Sequence, residues 1–196
     1  MNGKPWRSLR YHSFECHQAV FDNIKSDFSR YLGAPGAKVS LGSRVSAAMT
    51  YGFLATLVYR YGRWTRTIEP RVLSLPFKLL YKVLAFWVDV LFGINISTNA
   101  NIGKGLYIGH FGGIFLHGDM GEFCSVGQGV TIGYKGAGKS TRAPTIGSHV
   151  YIGTSAVIIG DITIGDHVLI GANTTVTKDV PAHHRVVSQP VRMTPR

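Results

Sequence analysis

"IGSHVYIGTSAVIIGDITIGDHVLIG", residues 146 to 171, returns to an aliphatic residue every six positions, at Ile146, Ile152, Ile158, Ile164 and Ile170, and glycine follows four of the five. A period of six fits neither the 3.6 of a helix nor the alternation of a meander; it suits very short strands joined by tight corners, which build a parallel β-helix. The period extends to Val176 on one side. On the other it breaks once and resumes at Ile132, Val126, Met120, Ile114, Ile108, Ile102 and Ile96. Thirteen positions are thus expected to keep one period around a single insertion of eight residues. Glycine follows nine of them, and the fifth hexad position is also small or aliphatic, as at Ala100, Gly112, Cys124, Val130, Ala156 and Val168. Proline, which cannot donate to a ladder, is absent from the uninterrupted coils.

The insertion contains "GYKGAGKS", residues 133 to 140, which spells a phosphate-binding P-loop. That motif works only when a strand leads through it into a helix whose amide groups face the phosphates. Here Pro144 and Gly147 stand where the helix would continue. The string is therefore expected to be a protruding loop, which makes an ATPase a poor reading.

The chain of 196 residues is 45% hydrophobic, enough to bury a core. Cys16 and Cys124 lie far apart in no redox or metal spacing, which predicts a reducing cytoplasm and no disulfide frame. The start lacks a secretory pattern. The longest uncharged apolar run, residues 45 to 59, falls short of the roughly 20 residues that span a bilayer. A net charge of +11 informs association rather than fold, and neither a stacking platform nor a recognition motif supports a nucleic-acid partner.

Residues 1 to 93 lack the hexad and read as helical. Phe21, Ile24, Phe28 and Tyr31 fall at helical spacing before a Gly33 to Gly36 break. Two longer helices are expected over about 43 to 61 and 74 to 92, with Pro76 in the opening turn of the second and Gly93 closing it. That second helix is apolar over most of its circumference. It is read as buried against the β-helix or a second subunit, with contact at the inner membrane face, Lys78 and Lys82 at headgroups, as the other reading. The predicted organisation is a helical region 1–93, a β-helix 94–182 with a loop at 134–145, and a tail 183–196.

The hexads together with "GLYIGHFGGIFLHGD", "VGQGVTIG", a glycine-rich loop and "VYIGTSAVIIGDITIGDHVLIGANTTVTKDVP" resemble the left-handed β-helix acyltransferases. The likeness is to serine O-acetyltransferases, and within them to short members that accompany exopolysaccharide synthesis. The resemblance implies a homotrimer with acetyl-CoA in the groove between subunits and no metal. It also implies a histidine general base, which on this chain is His110. A neutral imidazole takes a hydroxyl proton as the oxygen attacks the thioester carbonyl, without a covalent enzyme intermediate.

Family residues carry over unevenly. The aspartate before the histidine is Gly109 here, its partner about fifteen residues upstream is Asn95, and the arginine–histidine pair of the loop is Arg142 and Ala143. Asn95 can orient an imidazole but cannot stabilise imidazolium as a carboxylate does. A sugar hydroxyl, which has no ammonium or carboxylate to pair, therefore suits the site better than serine. For acetyl-CoA the family positions are Gly133, Thr154 and Ala172 beside the pantetheine, with Lys178 and Arg192 toward the nucleotide phosphates; Ser188 and Gln189 replace the usual glycine at that end. His117 is a further candidate for the acceptor side. The reading is acetyl-CoA-dependent O-acetylation of a sugar in surface polysaccharide synthesis, with serine O-acetylation as the alternative acceptor and a non-catalytic scaffold or glycan-binding module as the alternative class.

Overall fold

The computed structural model describes residues 13–33, 39–136 and 142–188, with side chains from Val20 onward. Among the described residues thirteen short strands wind as a parallel coil with three faces, forming a left-handed β-helix. The first face stacks β1 (Ile94–Ile96), β3 (Ile114–Leu116), β6 (Thr131–Gly133), β9 (Val157–Ile159) and β12 (Thr175–Val176). The second stacks β4 (Asp119–Met120), β7 (Thr145–Ile146) and β10 (Thr163–Ile164). The third stacks β2 (Tyr107–Ile108), β5 (Ser125–Val126), β8 (Tyr151–Ile152), β11 (Leu169–Ile170) and β13 (Arg185–Val186). Inward aliphatics of successive coils pile into one core in which Leu116, Ile132, Ile152, Ile158 and Ile170 are wholly buried. The small residues at the corners are buried with them, including Cys124, whose thiol burial pushes up from 9.0 to about 11.

The single unbroken period expected before the insertion hides a shift. Leu116, not Ile114, pairs in register with Ile96 and Ile132. Eight residues therefore separate the inward Ile108 from Leu116, and only four separate Leu116 from Met120, which bridges Ile102 and pairs with Ile146. An expanded corner and a contracted one cancel, so the count by sixes runs on undisturbed. The expansion is "HFGG", where Gly112 and Gly113 adopt φ of 98° and 68°, a region side chains disfavour. The contraction recurs between Val176 and Val180, which bridges Ile164. Each short corner ends on an aspartate that ties it to the coil before: Asp119 accepts from the Asn101 amide at 2.8 Å and Asp179 from the Thr163 amide at 2.7 Å.

Among the described residues four helices precede the coil: α1 (Ser13–Ser29), α2 (Leu41–Ala48), α3 (Tyr51–Thr65) and α4 (Leu75–Phe92). The helix expected over 43 to 61 is two, because Thr50 takes an extended backbone (φ −69°, ψ 136°) and its hydroxyl donates to the Ala47 carbonyl. α4 follows the expected bounds, with proline in its first turn and Gly93 at φ 60° closing it.

The open edge of the first coil would expose unpaired backbone groups, and side chains from these helices satisfy them. The Tyr59 hydroxyl donates to Ala100 O and accepts from Ile102 N, while Tyr31 does the same for O and N of Ile108. Arg60 donates to the Ile102 and Gly103 carbonyls, both at 2.6 Å, and Asp27 accepts from Leu106 N. Arg60 and Asp27 also pair through two contacts of 2.9 and 3.2 Å, wholly inside the protein. Helix side chains thus stand in for the hydrogen bonds of a missing coil. Burial raises the pKa of Tyr31 and Tyr59, which keeps both hydroxyls protonated and able to donate.

Candidate active site

His110 sits two residues beyond β2, in the expanded corner between the third and first faces, and its side chain is exposed. Three anchors hold this corner. Gly112 N donates to Phe92 O at 2.8 Å and Ile114 N to Gly93 O at 2.9 Å, so the corner caps the end of α4. Phe111 stacks edge-on against Tyr51 at 4.9 Å, and Gly52 lets α3 approach β2 so closely that a Cβ there would meet the Ile108 carbonyl. No described side chain hydrogen-bonds the His110 ring, which leaves both nitrogens open to a ligand.

Four other positions stand where His110 stands in their own coils, two residues beyond the inward aliphatic of the third face: Gln128, Thr154, Ala172 and Ser188. All are exposed, so one edge of the prism carries the base candidate and two of the acetyl-CoA candidates in a column. Gln128 was not singled out from the sequence, although its hexad position equals that of His110. Its amide nitrogen lies 3.4 Å from where a side chain on Gly112 would begin, within the His110 corner. A primary amide there can donate toward an oxygen in the corner.

The remaining candidates lie along the opposite edge of the first face. His117 and Gly133 follow the inward Leu116 and Ile132, and space for a side chain at Gly133 is open. Lys178 is exposed in the contracted corner after β12. Arg142, at the end of the loop, lies 3.9 Å from Asp161 across a solvated gap. Residues 137 to 141 of the P-loop-like string and Arg192 lie outside the described residues.

Asn95 is on β1, between the two edges, and its partner is His117 rather than His110. The Asp89 carboxylate can only accept, so Asn95 Nδ2 donates to it at 3.3 Å and Asn95 Oδ1 faces His117 Nε2 at 2.8 Å. Nε2 must then carry a proton, and in the neutral ring Nδ1 is the free acceptor. Asn95 and His117 border a pocket of about 240 Å³ between α3, α4 and the first face, lined also by Tyr81, Ser97 and Thr98. Burial raises the pKa of Tyr81, which bonds Thr98. Neither Asp89 nor the second role of Asn95 is visible from spacing alone, because Asp89 belongs to a helix and Asn95 to a strand.

Three of the other histidines have a structural use. His149, His167 and His183 stack on one another at 4.8 and 4.9 Å along the corner between the second and third faces, and Phe123 continues the pile at 5.3 Å. Among the described residues no group of three or more His, Cys, Asp or Glu side chains is placed to hold a metal ion.

Comparison with known proteins agrees with this geometry. Residues 143–178 match the family model described as bacterial transferase hexapeptide (six repeats). The chain is 40% identical over 146 residues to a serine acetyltransferase of Synechocystis sp., covering 72% of this chain and 55% of that protein. It is 34% identical over 155 residues to the serine acetyltransferase of Bacillus subtilis, covering 75% and 69%. The crystal structure of Neisseria gonorrhoeae serine acetyltransferase superposes with a TM-score of 0.72 at 28% identity, over 94% of this chain and 68% of that one. The chain spans about half the length of the first of these relatives. Nothing in the matches separates out an exopolysaccharide-associated subgroup. With the coil, the helical cap and the relatives in agreement, the chain belongs to the serine acetyltransferase family of hexapeptide-repeat proteins.

Proposed function

We propose that this chain is an acetyl-CoA-dependent O-acetyltransferase in which His110 is the general base. The observation that carries the reading is the column of His110, Gln128, Thr154 and Ala172 along one exposed edge, with no hydrogen bond to the imidazole from the described residues. His110 accepts the proton of the acceptor hydroxyl as its oxygen forms a bond to the thioester carbonyl carbon. The carbon–sulfur bond then breaks, and the CoA thiolate leaves with the proton returned by the imidazolium. Corner amides and the Gln128 side chain supply donors to the oxyanion between these steps. His117, Gly133, Arg142 and Lys178 stand on the opposite edge of the first face, and only a neighbouring protomer brings that edge against His110. This supports a homotrimer with acetyl-CoA held between chains.

The acceptor named by the relatives is serine, which makes L-serine the first reading. A second reading, a sugar hydroxyl such as one in a surface polysaccharide precursor, is favoured by Asn95. This residue is an amide already engaged by Asp89 and His117, and Gly109 and Ala143 offer no charge to a zwitterion. The test is CoA release from acetyl-CoA with L-serine and, separately, with nucleotide sugars and glycan fragments. Turnover with serine alone establishes the first reading; turnover with sugars alone establishes the second. His110→Ala should lower turnover on the order of 10²-fold or more, whereas unchanged turnover would leave a scaffold or glycan-binding module.

A further inference from the structure

We propose that the outer face of α4 is a docking surface for an anionic lipid bilayer, independent of which hydroxyl the enzyme acetylates. α4 has no buried residue. Tyr81, Ala85 and Val88 turn toward α3 and the first face of the coil. The opposite side presents Leu79, Leu80, Val83, Phe86, Trp87 and Val90, which are 47 to 66% exposed, and Val72 and Leu73 extend the patch ahead of the helix. At 100° per residue these six fall on one continuous half of the helix surface, and Lys78 and Lys82 fall together on one of its rims. The one carboxylate of α4, Asp89, is turned to Asn95. An apolar half-cylinder with cations at its edge and the Trp87 indole N–H as the one hydrogen-bonding group on its face is the pattern of a helix lying in a membrane interface. Among the described residues no helix is long and apolar enough to cross a membrane, so the fit is to the surface rather than the interior.

Charge decides the occupant. Besides the buried Arg60, residues 39 to 93 carry six Lys and Arg against Glu69 and Asp89. A second copy of this face would bring the same excess of cations against Lys78 and Lys82. An anionic bilayer supplies the opposite charge along the rim and hydrocarbon beneath it, and asks for no shape complementarity.

Flotation of the full chain with vesicles of phosphatidylcholine, with and without phosphatidylglycerol, tests this at low salt. The protein is expected to float with the anionic vesicles and not with the neutral ones, with a blue shift of tryptophan emission. Lys78→Gln with Lys82→Gln should lower the partition constant roughly 30-fold. Phe86→Ser with Val90→Ser should lower it roughly 100-fold while leaving the melting temperature unchanged, since both side chains are exposed. Wild-type protein that stays with the unbound fraction on both vesicle types overturns the proposal. So does a serine-face variant that shifts sedimentation to a smaller assembly while the wild type binds no lipid, which would make a second copy the occupant.

Discussion

Asp27→Ala is the sharpest probe of how the helices are fastened to the coil. Asp27 is wholly buried and Arg60 is 3% exposed, so removing the carboxylate strands a guanidinium where water cannot reach it. Two carbonyl acceptors at 2.6 Å remain for that guanidinium, but no counter-charge does. Breaking a buried pair from one side costs about 3–5 kcal/mol. Leu106 N loses its acceptor as well, at about 1–3 kcal/mol more if no water enters. Against a total stability of about 5–15 kcal/mol, this places the cap close to its threshold. The assay is urea unfolding followed by the helical signal in circular dichroism, with amide hydrogen exchange reporting the coil, because Trp64 and Trp87 both lie in the helices. The helical signal should be lost first, because the coil keeps its own core. Asp27→Asn, which retains an acceptor for Leu106 N, should fall between the variant and the wild type. A cost below about 1 kcal/mol, the value of a solvated pair, would refute the reasoning by showing that Arg60 is not sequestered.

Gly52→Ala places a methyl group 2.8 Å from the Tyr31 hydroxyl and 2.9 Å from Ile108 Cβ. It should cost about 1–3 kcal/mol in a thermal melt and lower turnover by loosening the corner that carries His110. His117→Gln keeps a donor for Asn95 but loses the second ring nitrogen. Steady-state kinetics should show KM for the acceptor rising roughly 3- to 10-fold, with KM for acetyl-CoA unchanged. The folded chain holds the Cys124 proton more tightly than the unfolded chain does, so between pH 9.0 and about 11 the unfolded state is the more ionised and stability falls as pH rises. Denaturant midpoints at pH about 8 and about 10.5 should register a loss of about 2 kcal/mol from this thiol, which Cys124→Ala removes.

The hexads made the coil legible because each inward aliphatic and each small corner residue is dictated by the space available within a single turn. The same rule exposed the loop after Gly133, whose glycines and lysines otherwise spell a nucleotide site. What escaped was compensation. An expansion of two residues at His110 and a contraction of two after Leu116 cancel in any count by sixes, so Ile114 occupied the period while Leu116 held the register. Side-chain partnerships were equally hidden. Asn95 lies fifteen positions before His110 in the chain, yet across β1 and β3 its neighbour is His117, and only the register between strands reveals this. The outer face of α4 was the ambiguous case: its apolar residues read as core, and Pro76 and Gly93 set its limits correctly, but no periodicity within one helix says what covers it.

A rod whose first coil is sealed by helices has a direction. The helices finish the first coil, so further turns can be gained or shed solely at the other extremity, and each such event leaves His110 and its corner with the same neighbours. Deleting the chain beyond Ile164 should therefore shorten the edge proposed to hold acetyl-CoA while sparing the imidazole. Donor affinity and chemical competence become separable by length alone.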